Sequence, residues 1–377
     1  MAVFVDRVTD EDTFGKLALE WDSLLAESGQ DWLFLTWEWL FTWWRYFGSK
    51  GQLYLLCVRD SEKRLIGLAP LRIVRRGRTG GGGLRVLEWL GSGSPVWSDA
   101  LDLIARRESE QAVREAIGNH LLARRDEWDA AWMTDCPEDS AGATALSMML
   151  QSAGLSGTRE ACAVCPYLVL GDPWPVYDER AHRKFRDLKK YLRALEEAGA
   201  EFGVVKTPEV LDQALDALVR LNRERVLSKN GAPSLANDAL CRFVQHISRT
   251  AFHGGWLRLY YVSIRQEFIA LNLNFVHGSR VYGYLSGFDP AWQRRGVGTC
   301  LFRYAIHDSW EKGFKVYDFL RGDEAYKYRW ASDERRSIAL RVINHRGRYA
   351  LFRTADFAER ALKKMWRRAH GALQQSS

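Results

Sequence analysis

Between Asp289 and Thr299 the chain reads Asp-Pro-Ala-Trp-Gln-Arg-Arg-Gly-Val-Gly-Thr, so two arginines and two glycines stand directly ahead of a run with helical periodicity. The first turn of a helix leaves backbone N–H groups without partners and carries partial positive charge, which suits a phosphate or pyrophosphate. Gly296 and Gly298 lack Cβ and let anionic oxygens approach the main chain, while Arg294 and Arg295 add charge at the rim. Gln293 opens the segment, Val297 stands between the glycines and Thr299 follows them, so 293 to 299 is the expected anion-binding loop. On geometry alone the same residues also fit an ordinary polar loop.

Other side chains could act on a bound molecule. Val316, Asp318 and Leu320 share one face of a strand, and a carboxylate between two apolar neighbours needs a partner if it is buried. That partner is either a substrate ammonium or one of the chain's arginines. Tyr326 and Tyr328 offer phenols with an ordinary pKa of about 10, able to hydrogen-bond or protonate a departing group, or simply to pack. Lys327 between them reads as a solvated charge. Asn272 and Asn274 alternate with Leu271, Leu273 and Phe275, so both amides face one side of a strand and could hold a hydroxyl-rich molecule or meet solvent. The Gly80 to Gly83 run lacks the ending of a P-loop, Gly91 to Trp97 is no nucleophile elbow, and neither GxSxG nor HExxH occurs. Cys162 and Cys165 form a lone CxxC without the further ligands of a zinc site, and no metal is expected.

The elements that hold these residues are also marked. Val281 to Phe288 alternates as a strand, Asp289 and Pro290 turn the chain, and Thr299 to Trp310 has helical periodicity. Leu53 to Val58 with Leu65 to Val74, and Leu257 to Val262 with Phe268 to Val276, read as two β-hairpins in corresponding places of an internal duplication. Tyr177 to Ala198 reads as a helix with Phe185, Leu188, Leu192 and Leu195 on one face, stopped by Gly199. The aromatic run Trp32 to Gly48 reads as one buried helix, apolar nearly all round. Prolines and glycines from Pro166 to Pro175 place a boundary there, giving an N-terminal domain of 1–165 and a C-terminal domain of 166–377 that begins with a basic linker helix.

The Gln-x-x-Gly-x-Gly loop, set after a strand and a proline and opening a helix, resembles the acyl-CoA signature of the GNAT superfamily of N-acetyltransferases. Tyr317 to Trp330, YDFLRGDEAYKYRW, is similar to the Asp-x-x-x-Gly…Tyr-Lys segment of the acetyltransferase family associated with cellulose and exopolysaccharide biosynthesis, a relative of the Fem-type peptidyl transferases. The aromatic helix after Gln30, the strand Cys165 to Leu170 and the basic helix Phe185 to Leu195 match that family more loosely. Many of its members carry Ser-Pro-Gly in place of the glycine loop, so this chain departs toward the version that takes coenzyme A in preference to an aminoacyl-tRNA. The resemblance implies an α/β (α+β) fold of tandem GNAT-like halves, each a mixed sheet flanked by helices, the first degenerate and the second catalytic. It implies coenzyme A or acetyl-CoA lying between two splaying parallel strands, 281–288 and 315–320, with its thioester near Asp318 to Arg321. N-acyl transfer, in the simplest case N-acetyl transfer, then proceeds by direct attack of an amine. In that scheme Asp318 binds or deprotonates the amine, Tyr326 serves the departing thiolate, and Asn272, Asn274 and Lys327 contact the acceptor, an amine of a cell-envelope or polysaccharide precursor.

With 377 residues, 47% hydrophobic and 27% charged, the chain is of a size and composition for two folded domains. Its densest apolar run, Trp32 to Phe47, carries Glu38 and Arg45, so no transmembrane segment is expected. The acidic start and scattered cysteines point to the cytoplasm and reduced thiols. The net charge of +7 is spread over 54 basic and 47 acidic side chains, compatible with an anionic cofactor, an acidic glycan or peripheral contact with a membrane. A nucleic-acid partner is not expected, because the basic residues of 183–193 are interspersed with apolar anchors. Two alternatives stand beside this reading. One is a Fem-like transferase using charged tRNA, drawing on that helix and on Lys363, Lys364, Arg367 and Arg368. The other is a non-catalytic scaffold of a polysaccharide-synthesis complex, which has no need of Gly296 and Gly298.

Overall fold

The computed structural model describes residues 3–77, 83–93, 95–96, 98–227 and 237–354. Gly80 to Gly82, Ser94, Trp97, Lys363, Lys364, Arg367 and Arg368, all singled out above, lie outside the described residues. The strands are β1 (Phe4–Val8), β2 (Gly51–Arg59), β3 (Leu65–Arg76), β4 (Leu84–Trp89), β5 (Ile104–Ala105), β6 (Ala130–Pro137), β7 (Ser156–Val169), β8 (Ala200–Val204), β9 (Leu257–Ile264), β10 (Glu267–His277), β11 (Arg280–Phe288), β12 (Val316–Asp318) and β13 (Asp333–Ile343). The helices are α1 (Glu11–Lys16), α2 (Ala18–Glu27), α3 (Trp37–Phe47), α4 (Glu110–Ala123), α5 (Ala141–Ser152), α6 (Trp174–Lys184), α7 (Leu188–Glu197), α8 (Pro208–Leu227), α9 (Asp238–His253), α10 (Val297–Glu311) and α11 (Ala325–Trp330).

One sheet runs through the molecule in the order β1-β2-β3-β4-β6-β13-β7-β12-β11-β10-β9-β8, with β5 on β3. The order has the same pattern from either end. Four antiparallel strands are followed by a parallel step, β4 on β6 or β11 on β12, and then by a strand from the other half, β13 on β6 or β7 on β12. β7 and β13 pair antiparallel at the centre, from Asp333 opposite Tyr167 to Ile343 opposite Ser156. This is the expected α/β class of two related mixed-sheet halves flanked by helices, with one strand exchanged between them. Position 165, where the sequence suggests a boundary, lies inside β7.

Both expected hairpins form, as β2–β3 and β9–β10. The aromatic run is not one helix. Thr36 is extended and its hydroxyl accepts the Trp39 N–H at 3.4 Å, which separates a 3-10 turn, Leu33–Leu35, from α3. Nor is α3 apolar all round: Trp39, Leu40, Thr42 and Trp43 are buried and Arg45 is exposed. Trp39 packs on Phe243, Phe275 and Tyr284, with ring centroids 5.3, 5.8 and 5.3 Å away, so this helix joins the two halves. The expected helix 177–198 is likewise two, broken at Phe185 to Asp187, with the Phe185 ring buried against Trp330 at 4.6 Å. Gly199 stops it as expected, at φ +73°. Among the described residues no helix is long and apolar enough to cross a membrane.

Candidate active site

β11 and β12 run parallel for three residue pairs, Arg280 with Val316, Val281 with Tyr317 and Tyr282 with Asp318. β12 then stops while β11 continues to Phe288, so the two strands splay. The stop is local chemistry. Asp318 Oδ1 accepts the Leu320 N–H at 2.8 Å, Leu320 adopts φ +58°, and the chain turns to follow β7, with Phe319 N–H on Pro166 O and Gly322 N–H on Val164 O. The buried Lys327 ammonium holds this turn from behind, 3.2 Å from Leu320 O, 2.6 Å from Arg321 O and 2.9 Å from Glu324.

Two adjoining cavities occupy the opening. The first, about 220 Å³, runs beside Ser286, Gly287 and Phe288 to Gln293, Gly296, Gly298 and Thr299 at the start of α10. The second, about 260 Å³, extends from Gly283 and Tyr284 to Pro95 and Asp99 of the segment between β4 and β5. Arg225, Asn272, Ser286, Phe302 and Tyr326 line both. The loop turns as a 3-10 segment, Pro290–Arg295, capped by Asp289, whose carboxylate accepts the Ala291 N–H at 2.8 Å.

The sequence-selected residues divide by position. Gln293, Gly296, Gly298 and Thr299 line the first cavity. Gly296 has a further reason to be glycine: it lies at φ +64°, and a Cβ would stand 2.2 Å from the Tyr191 ring. Gly298 is roomier, with Phe288 at 3.4 Å from an added Cβ. Val297 is buried in the core, while Arg294 and Arg295 are exposed, Arg295 stacking over Trp292 at 4.5 Å. Tyr326 stands between the cavities beside Phe302, at 5.6 Å; it is 40% exposed overall, but loss of water around its hydroxyl, with Glu324 adding to it against Arg225, pushes its phenol up to about 12. Tyr328 bonds Glu334 at the surface at 3.2 Å.

Asn272 and Asn274 do share a side, but both are buried and grip the Tyr317 hydroxyl, which donates to Asn274 Oδ1 at 2.6 Å and accepts from Asn272 Nδ2 at 3.2 Å. Solvent is thus not their partner, and Asn274 is not among the cavity-lining residues. Asp318 is fully buried, its Oδ2 3.4 Å from both Arg280 and Arg335 and its Oδ1 held by Leu320 N–H. The arginine partnership weighed from sequence is the one the fold supplies. Lys327 is not a solvated charge: it lines the second cavity, but its ammonium is occupied by the three oxygens above. Asp99, Arg225, Ser286 and Phe302 were not legible as site residues. Asp99 alone carried a signal, the one charged residue in the stretch Pro95 to Leu101. Among the described residues no group of three or more His, Cys, Asp or Glu side chains could hold a metal ion.

Residues 182–328 match the family model described as Acetyltransferase (GNAT) domain. No curated protein matches the sequence. Among solved structures, FemX is similar with a TM-score of 0.62 at 11% identity, covering 93% of this chain and 99% of that one. A conserved protein of unknown function from Bacteroides thetaiotaomicron aligns with a TM-score of 0.53 at 10% identity, covering 91% and 100%. L-PGS from Bacillus licheniformis aligns with a TM-score of 0.51 at 12% identity, covering 90% and 93%. At such identities the likeness is one of fold. The matched segment contains β11, the glycine loop and α10, β12 and Tyr326, which line much of both cavities, whereas Pro95 and Asp99 of the second and Arg329 and Trp330 of the first lie outside it. Residues 182–328 are thus similar to a GNAT acetyltransferase domain, and that match marks the protein as an acyltransferase.

Proposed function

We propose that the protein transfers an acyl group, in the simplest case acetyl, from coenzyme A to an amine of a cell-envelope or polysaccharide precursor, acting in the cytoplasm. The observation that carries this reading is the opening between β11 and β12, which holds a cavity ending at the Gln293 to Thr299 loop and the start of α10. A pyrophosphate on that loop meets unpaired N–H groups, with Arg294 and Arg295 near its rim. Beyond Tyr282, β11 has no strand partner on the β12 side among the described residues, which suits the amide groups of a pantetheine arm. Phe288, Leu301 and Phe302 supply an apolar wall. The thioester then lies where the cavities meet, beside Tyr326, whose raised pKa keeps a proton ready for the departing thiolate. Asn272 reaches this junction, whereas Asn274 and Lys327 position Tyr317 and the 320–321 turn. Asp318 ties the end of β12 to β11 through Arg280 and to β13 through Arg335.

A second reading, transfer from an aminoacyl-tRNA, is favoured by one observation, the likeness of fold to FemX across most of both chains. Isothermal titration with acetyl-CoA and a gel shift with charged tRNA separate the two. Saturable acetyl-CoA binding that Gly298→Glu abolishes is the expected result. A tRNA complex with steep salt dependence and no acetyl-CoA binding overturns it.

A further inference from the structure

The second cavity ends on a carboxylate. Asp99 is 2% exposed, and its Oδ2 accepts the Arg321 N–H at 2.9 Å and faces Cys165 Sγ at 3.7 Å. Its Oδ1 is buried without a hydrogen-bond partner among the described residues. A buried acceptor left without a donor is costly, about 1–3 kcal/mol and more when charged. Here the residue lines a cavity of about 260 Å³, so the donor can come from a ligand.

A second acceptor is aimed by a hydrogen-bond chain. Asn274 Nδ2 donates to Asn272 O at 2.9 Å, which leaves Asn274 Oδ1 to accept from Tyr317; Tyr317 in turn accepts from Asn272 Nδ2. That orientation leaves the Asn272 amide its oxygen, an acceptor for a ligand, and one further N–H. A carboxylate oxygen and an amide oxygen lining one cavity suit a group rich in donors, and an ammonium has three where a hydroxyl has one.

We infer that this cavity is the acceptor subsite, that it takes a primary ammonium group, and that Asp99 binds that group and receives its proton. The inference rests on the acyl-CoA reading above. The step balances as follows: R–NH3+ gives one proton to the Asp99 carboxylate, and the freed amine forms the C–N bond at the thioester carbonyl. The C–S bond breaks as the thiolate takes a proton from Tyr326. The nitrogen's second proton restores the phenol, and Asp99 releases its own to water. Burial raises the Asp99 carboxyl to about 6, against Arg335 and with Asp318, so it is ionised at neutral pH yet basic enough to accept a proton. The groups acting on it are Arg335 of β13, Asp318 of β12, Arg321 and its N–H, Cys165 of β7 and Tyr284 of β11. Arg335 gives its Nη2 to Asp318 at 3.4 Å and leaves Nε and Nη1 without hydrogen-bond partners, so it acts on Asp99 through its charge and not through a hydrogen bond.

The test is thiol release from acetyl-CoA with a panel of glucosamine, galactosamine, ethanolamine and cadaverine. For wild type, kcat/KM for the amine is expected to rise through about pH 6 and then level until the amine's own pKa. Asp99→Asn keeps the shape and an acceptor for Arg321 N–H. It is expected to leave acetyl-CoA affinity unchanged, to lower kcat/KM about 100-fold or more, and to replace the plateau by a rise of about one decade per pH unit. An unchanged profile in Asp99→Asn overturns the inference. So does a wild-type profile without the limb near pH 6, which needs no variant, or acetyl-CoA binding with none of the four amines acylated. Failure of acetyl-CoA to bind is a different result and overturns the donor assignment instead.

Discussion

Among the described residues Tyr326 is the one phenol that lines both cavities, and a phenol raised to about 12 stays protonated over the whole working range, as the proposed proton donor must. Removing only the hydroxyl, Tyr326→Phe is expected to lower kcat about 100-fold or more while acetyl-CoA affinity measured by titration stays within a few-fold. Because the phenol's folded pKa is raised, it loses its proton only above the usual range. The wild-type rate should therefore show no fall assignable to this tyrosine up to about pH 10. Lys327 acts at the same scale but differently. Its ammonium is enclosed by Leu320 O, Arg321 O and Glu324, so Lys327→Met leaves two carbonyls of a tight turn without their donor. A loss of about 1–3 kcal/mol in urea unfolding is expected. The rate should fall with it, since that turn sets where Tyr326 stands.

The strand-loop-helix unit from β11 to α10 explains why its two glycines are not equivalent. Gly296 sits in the left-handed region with the Tyr191 ring against it, so Gly296→Ala is expected to cost about 1–2 kcal/mol from the backbone alone and to disturb α7. Loss of ligand binding in that variant would mix strain with chemistry. Gly298 lies in the first turn of α10 with ordinary clearance, so Gly298→Glu places charge and bulk at the proposed anion site without forcing the fold. The expected outcome is a melting temperature within a few degrees of wild type and no detectable acetyl-CoA binding. Retained binding would show that the pyrophosphate does not rest on this loop.

At the scale of the whole molecule the exchange of β7 and β13 decides whether the halves can exist apart. β13 has β6 on one side and β7 on the other, and Ile338, Leu340 and Val342 are buried. A fragment of residues 166–377 keeps only Pro166 and Tyr167 of the β7 residues opposite β13 and lacks β6 altogether. Both edges of an apolar strand are then open to other chains. That fragment expressed alone is expected to aggregate, and co-expression with 1–165 is expected to return a soluble complex by size-exclusion chromatography. A soluble, monomeric 166–377 would mean that the exchange contributes little to stability.

What the sequence determined is what depends on near neighbours. The hairpins, the alternation of β11, the Asp289–Pro290 turn and the helix after it rest on spacings of two to four residues, and each formed within a residue or two of its expected bounds, α10 starting at Val297 instead of Thr299. The glycine loop was legible for the same reason. The break at Thr36 rests on an equally local signal, its own N-cap of α3, which the aromatic run around it masked, whereas the break at Phe185 was not legible because its ring is drawn into the fold against Trp330. Tertiary structure alone decided the rest. Asp99 meets Arg321 N–H across 222 residues, Tyr317 meets Asn272 across 45, and Asp318 is claimed by Arg280 across 38. No periodicity carries such pairings, because burial and partner choice are properties of the packed sheet. A carboxylate in a one-dimensional pattern looks the same whether its oxygens are filled, as in Asp318, or one is buried without a hydrogen-bond partner, as in Asp99.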